Sequence, residues 1–148
     1  MNLRKVLSKS DITVNLPGQT KEEVIEALMD ILMASGKVRD RDLAMAAILE
    51  REKKMSTGIQ NGVAIPHGKT DAVDELVACL GIKREGIDFD ALDGERSRIF
   101  IMTLSPVNRS GPHVQFLAEI SQLLTDSAKR DRLLTARTQD DVLDILTS

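Results

Sequence analysis

The sequence predicts an α/β fold, in which a mixed β-sheet is covered by helices on both faces and residues 1–148 form a single domain. A length of 148 residues suits one compact domain with a substantial core. The predicted elements run as one strand, two helices, several strands and then further helices. No repeat, low-complexity tract or long linker divides this order.

The first elements are a strand and two capped helices. Residues 12–16 alternate between apolar and polar side chains and end at Pro17-Gly18, which indicates a strand and a turn. Thr20 with Glu23 forms a capping-box pattern that opens the first helix. Asp40 can cap the second helix, whose predicted inward-facing residues are Leu43, Ala47 and Ile48.

The later elements are two buried strands followed by helices. Residues 76–82 and 98–104 are short, apolar and partly β-branched, which favours strands, and Asp93-Gly94 between them is a hairpin signal. Pro112 is predicted to be the first residue of the next helix. Two shorter helices follow, and the last of them begins after Thr138.

Composition restricts the functional class and the compartment. The formal net charge of -3 and the aromatic content of 2% argue against a nucleic-acid-binding protein. Cys79 is the only cysteine, so it cannot form an internal disulfide, and its apolar neighbours predict a packed core residue. No signal peptide or membrane-length apolar run is visible, so we expect a cytoplasmic protein.

The segment Gly62-Val63-Ala64-Ile65-Pro66-His67-Gly68-Lys69 is the strongest candidate for a functional site. It places one of the two histidines at the end of a short apolar run, between a proline and a glycine. The proline favours an extended backbone before it, and the glycine puts no Cβ beside the ring. The imidazole of His67 is therefore either a turn residue or an approachable nucleophile or base.

His113 and Arg51 are two further candidates. His113 lies at the N-terminal tip of a predicted helix, on its inward stripe, where it either packs against that stripe or points into a site beside backbone amides. Arg51 lies near the end of the second helix. It is either a solvated charge or a clamp for a phosphate, which the guanidinium fork suits.

Several other chemistries lack their sequence signals. Gly68-Lys69-Thr70 resembles the end of a phosphate-binding P-loop, but the preceding Gly62 is at the wrong spacing. HExxH and CxxC spacings are absent, and so is a G-x-S-x-G elbow, so we expect neither a metal site, nor a cofactor, nor a serine hydrolase. Two histidines, an arginine and a loop with many backbone donors fit transient attachment of phosphate to a ring nitrogen.

The chain resembles the IIA domains of the bacterial phosphoenolpyruvate-dependent sugar phosphotransferase system, of the fructose, mannitol and nitrogen-related type. The resemblance extends from about Leu3 to the C-terminus. It rests on five segments, which are Arg51-Glu52-Lys53, Ser56-Thr57-Gly58-Ile59, residues 61–68, residues 86–94 and residues 113–121.

The resemblance implies a three-layer α/β/α domain that carries phosphoryl groups. His67 would accept phosphate from a histidine-containing phosphocarrier protein and pass it to a cysteine of a IIB domain. His113 would support the phosphorylated ring and Arg51 would stabilise the phosphate. Contact with the membrane would be indirect, through the permease complex.

Two alternatives remain beside sugar transport. A nitrogen-related regulatory protein would be phosphorylated on the same His67 but would signal by binding other proteins. A domain without phosphotransfer would be a binding module only, and the presence of both histidines argues against it. Gln60 stands where the family usually has glycine, so the resemblance does not predict the detailed geometry of that loop.

Overall fold

The computed structural model describes residues 1–148 and is built from helices and one mixed sheet. The helices are α1 (Leu3–Val6), α2 (Lys21–Ala34), α3 (Arg41–Lys54), α4 (Ser110–Leu123), α5 (Ser127–Thr135) and α6 (Gln139–Thr147). The strands are β1 (Ile12–Thr13), β2 (Val63–Ala64), β3 (His67–Lys69), β4 (Val77–Ile87) and β5 (Ser97–Ser105). None of the helices has the length and apolar character needed to cross a membrane.

The sheet has the order β1-β4-β5, with β2 and β3 both paired to the far side of β5. The two long strands β4 and β5 are antiparallel, whereas every other pairing is parallel. Val63 lies opposite Ile99 and His67 opposite Thr103, so β2 and β3 share one register and form an interrupted edge strand. Pro66 lies in the interruption, and an edge is where a strand tolerates proline.

Alternate residues of the central strands face two hydrophobic clusters. Cys79 and Phe100 pack with α2 and α3 on one face, while Leu80 and Ile101 pack with α1, α4, α5 and α6 on the other. This alternation follows from the period of two along a strand. The predicted α/β class with a mixed sheet is confirmed, and so is the three-layer arrangement that the resemblance implied. Cys79 is fully buried, as its apolar neighbours predicted.

Side-chain caps begin several helices where the sequence predicted them. Thr20, Asp40 and Thr138 each accept a hydrogen bond from the backbone N–H three residues ahead. Glu23 reaches back to the N–H of Gln19 rather than to that of Thr20, so the first capping box is displaced by one residue.

Three sequence-based predictions about element positions are wrong. Helix α4 begins at Ser110 rather than Pro112, because N–H groups of a first helical turn need no intrahelical partner and proline is tolerated there. Leu43 is 47% exposed, because the inner stripe of α3 is formed by Ala44, Ile48 and Glu52 at intervals of one helical turn. The first strand ends at Thr13, although the N–H of Leu16 still donates to Ile82.

Candidate functional site

His67 is the first residue of β3 and is half-buried at the sheet edge. Its Nδ1 lies 2.8 Å from the carbonyl oxygen of Ile65. A carbonyl can only accept a hydrogen bond, so Nδ1 must carry the proton. In the neutral ring, Nε2 is then the nitrogen with an available lone pair. The backbone of the Ile65-Pro66-His67 segment therefore selects which ring nitrogen can act as a nucleophile.

Gly68 allows helix α3 to lie directly against this strand. A Cβ at Gly68 would come within 3.1 Å of the carbonyl carbon of Ala47 and 3.2 Å of its carbonyl oxygen. Such separations require a neighbour to shift, and here the nearest atoms belong to helix backbone. The absence of a side chain at Gly68 thus allows α3 to lie close to the strand that carries His67.

A cleft of about 430 Å³ lies between α3, β3 and the start of α4. His67, His113 and Arg51 all line it, so the structure brings together the three candidates that the sequence singled out. The ring centroids of His67 and His113 are 5.7 Å apart. A group attached to one ring can therefore be reached by the other.

His113 lies in the first turn of α4 and is only 4% exposed. Its Nδ1 is buried and has no hydrogen-bond partner, which leaves Nε2 as the nitrogen available to the cleft. Burial lowers the pKa of His113 to about 4, and the charges of His67 and Lys69 act in the same direction. The ring is therefore neutral at neutral pH and can offer one N–H donor.

The pKa of His67 is also lowered, and burial is again the largest cause. Arg51 lowers it further, whereas the hydrogen bond to Ile65 and the charge of Glu52 oppose the shift. Because the neutral form is favoured, the Nε2 lone pair is present near neutral pH.

Two cations flank the paired histidines. Nη1 of Arg51 donates to the carbonyl oxygen of Met55 at 2.8 Å, which holds the guanidinium beside the cleft. Lys69 follows His67 at a spacing of two in β3, so both side chains leave the same face of the strand. Its Nζ donates to Ser110 Oγ at 2.6 Å. Sequence reasoning missed Lys69, although the strand period could have identified it.

The turn before β2 accommodates Gln60 without strain. The left-handed conformations fall on Asn61, with φ 61°, and on Gly62, with φ 77°. Asparagine and glycine are the residues that adopt this region most readily. No cluster of three or more His, Cys, Asp and Glu side chains that could hold a metal ion occurs in the chain.

Comparisons with known proteins find relatives along nearly the whole chain. Residues 5–148 match the family model described as phosphoenolpyruvate-dependent sugar phosphotransferase system, EIIA 2. The chain is 40% identical over 135 residues to the PTS system fructose-specific EIIA component of Haloferax volcanii, with 91% of this chain and 88% of that protein covered. It is 34% identical to the fructose-specific EIIABC component of Bacillus subtilis, where 99% of this chain covers 23% of the longer protein.

Solved structures with the same fold include a nitrogen regulatory protein and an enzyme IIA in complex with its enzyme IIB. The nitrogen regulatory protein IIA-Ntr of Neisseria meningitidis superposes with a TM-score of 0.85 at 27% identity, over 97% of this chain and 98% of that one. Enzyme IIAMTL of Escherichia coli, solved in complex with phosphorylated enzyme IIBMTL, gives a TM-score of 0.80 at 26% identity, over 93% and 94% of the two chains. Because the family model matches nearly the whole sequence, the chain belongs to the EIIA 2 family of the phosphoenolpyruvate-dependent sugar phosphotransferase system.

Proposed function

We propose that this chain is a cytoplasmic phosphoryl carrier for sugar uptake, with His67 as the phosphorylated residue. The donor is a histidine-containing phosphocarrier protein and the acceptor is a IIB domain. The observation that carries the proposal is the hydrogen bond between His67 Nδ1 and the Ile65 carbonyl, since it leaves Nε2 unprotonated. The fructose-specific relative supports a role in sugar uptake, and the solved complex of enzyme IIAMTL with phosphorylated enzyme IIBMTL supports a IIB domain as the partner.

The transfer onto His67 needs no general base. The Nε2 lone pair attacks phosphorus while the P–N bond of the donor breaks, and that electron pair returns to the donor nitrogen. The Nδ1 proton stays on the ring and keeps its hydrogen bond to Ile65. In the second step the acceptor's cysteine sulfur attacks phosphorus as a thiolate, and the pair in the Nε2–P bond returns to His67.

The groups around the cleft stabilise the charge of the phosphoryl group. A phosphate adds close to two negative charges near neutral pH. His113 can donate one hydrogen bond to an equatorial oxygen, while Arg51 and Lys69 supply positive charge from two other sides. Positioned donors and cations are the main means by which proteins assist phosphoryl transfer.

Intact-mass analysis tests the proposal. The protein is incubated with phosphoenolpyruvate and the general phosphotransferase components, and it should gain one acid-labile phosphoryl group. His67→Ala should gain none, whereas His113→Ala should still accept phosphate but at least about tenfold more slowly, since it loses one charge-assisted hydrogen bond. Equal labelling of wild type and His67→Ala would contradict the assignment.

A regulatory role is the second candidate, and the similarity to the Neisseria meningitidis IIA-Ntr structure favours it. In that role His67 would be phosphorylated in the same way, but the phosphate would change the binding of other proteins. Transfer of label from the phosphorylated protein to a purified fructose-type IIB domain separates the two functions. Rapid transfer supports transport, and a stable phosphoprotein in the presence of IIB supports regulation.

A further inference from the structure

Glu52 is a buried carboxylate on the inner side of α3, and only 8% of the residue is exposed. One oxygen accepts the backbone N–H of Thr57 at 2.7 Å, and the other accepts the Thr57 hydroxyl at 2.6 Å. Lys21 on α2 lies 2.9 Å from the same carboxylate. A buried charge is stable only when it is paired and fully hydrogen-bonded, and these three contacts meet that requirement.

The residue held by Glu52 is connected to the active ring by two further hydrogen bonds. The carbonyl oxygen of Thr57 accepts the N–H of Ile65 at 3.0 Å. The carbonyl oxygen of Ile65 then accepts Nδ1–H of His67 at 2.8 Å. Ile65 therefore uses its donor toward Thr57 and its acceptor toward the imidazole, so it links Thr57 to the ring of His67.

The segment between Glu52 and Ile65 is also held by hydrogen bonds to α3, to the loop between β4 and β5, and to β2. Gly58 forms an antiparallel bridge with Ala64, and the N–H of Ile59 donates to the carbonyl of Val63. Both contacts join the segment to β2 rather than to a helix. On the α3 side, Arg51 holds the carbonyl of Met55, and Glu52 holds Thr57, which is the residue that bonds to Ile65.

We propose that Glu52 is a positioning residue, which sets the tautomer of His67 through Thr57 and the Ile65 carbonyl. The inference rests on the proposed function, because it explains how the phosphate-accepting nitrogen is kept unprotonated. A carboxylate suits the task, since both of its oxygens only accept and Thr57 presents two donors. Glutamine would offer one oxygen and would place an NH₂ donor against one of those donors.

Lys21 completes the arrangement by neutralising Glu52 without contacting the site. Its Nζ also lies 3.7 Å from Asp90 and 4.8 Å from the centre of the Phe89 ring. The Lys21 cation contacts Oε1 of Glu52, the same oxygen that accepts the Thr57 N–H. The negative charge of Glu52 is balanced, and both of its oxygens remain directed at the loop.

The test reads the imidazole tautomer by ¹H–¹⁵N NMR in the unphosphorylated protein and, separately, the rate of phosphoryl uptake. Wild type should carry its His67 proton on Nδ1. Glu52→Gln and Thr57→Val should both show a mixture of the Nδ1–H and Nε2–H forms, with uptake about tenfold slower, the effect of losing one hydrogen bond. Thr57→Ser keeps the hydroxyl and should behave as wild type.

Asp42→Asn is the matched control, since it removes a carboxylate from an exposed position on the same helix that does not line the cleft. It should leave the tautomer of His67 unchanged. If Glu52→Gln does not fold, Thr57→Val carries the test, because it leaves the ion pair between Glu52 and Lys21 in place.

Two results would overturn the inference. One is a pure Nδ1–H form in folded Glu52→Gln and Thr57→Val, and the other is an equal tautomer shift in Asp42→Asn. Wild type that takes up no phosphate would instead contradict the proposed function, since the tautomer is measured before any phosphate is added.

Discussion

His67 illustrates how far local sequence predicts a functional residue. Pro66 before it and Gly68 after it are adjacent in the chain, so an extended backbone and an approachable ring could be predicted without knowing the fold. The sequence predicted that one ring nitrogen would donate its proton to a backbone or side-chain acceptor, but not which acceptor. That it is the carbonyl of Ile65 depends on the interrupted pairing of the edge strand with β5, which the sequence does not display.

His113 should make the stability of the protein depend on pH. Its pKa is about 4 in the folded chain and 6.5 ordinarily, so the unfolded state binds more protons between these values. The free energy of unfolding should therefore fall as the pH is lowered from 6.5 to 4, by about 3 kcal/mol from this residue, and change no further below pH 4.

Urea denaturation followed by circular dichroism measures this effect, because the chain has no Trp or Tyr for fluorescence. His113→Gln removes the titrating group while keeping a polar side chain. It should show a shallower loss of stability between pH 6.5 and pH 4 than wild type. Parallel curves for the two proteins would show that burial does not lower the pKa of this histidine.

At the scale of elements, the contact between α3 and β3 shapes the cleft. The sequence predicted both the second helix and the extended segment around His67. It did not predict their close approach, because Gly68 opposite Ala47 is a tertiary contact between residues far apart in the chain. The sequence also predicted wrongly that Leu43 faces inward, because hydrophobicity alone does not determine which side of a helix faces the sheet.

Gly68→Ala should separate α3 from β3. The new Cβ would lie 3.1 Å from helix backbone, so we expect a loss of about 1–3 kcal/mol in the free energy of unfolding and slower phosphoryl uptake. Gly111→Ala is the matched control, because no atom from another part of the fold lies within 4 Å of its Cβ position. That change should stay within about 1 kcal/mol of wild type, because the helix propensity gained by alanine is opposed by the restriction that Pro112 places on the residue before it. Equal stability of the two variants would contradict the close packing of α3 on β3.

At the scale of the whole molecule, both hydrophobic clusters are built on the same two strands. Alternate residues of β4 and β5 belong to one cluster or the other, so neither helical layer can lose its packing without exposing the sheet. We therefore propose that residues 1–148 form one domain, and expect a single transition in denaturation.

The fold class was predictable from the order of the elements, whereas the pairing of two short strands with one edge was not.

The surface around the cleft is partly apolar and suits transient partners. Leu43 lies one turn before Ala47 on α3 and is 47% exposed, and Val114 beside His113 is 60% exposed. Leu43→Glu should raise the KM for the phosphorylated donor about tenfold, as loss of a central apolar contact does, and leave thermal stability unchanged. Leu92→Glu, at an exposed residue in the loop between β4 and β5 and outside the elements that border the cleft, should match wild type. An unchanged KM in Leu43→Glu would place the partner surface elsewhere.

The atom that receives the phosphoryl group is the most direct test of this account. Long-range ¹H–¹⁵N and ³¹P NMR of the phosphorylated, ¹⁵N-labelled protein identify the nitrogen bonded to phosphorus. The predicted result is phosphorus on Nε2 of His67, with the proton retained on Nδ1 beside Ile65. Phosphorus on Nδ1 of that ring, or on His113, would contradict it.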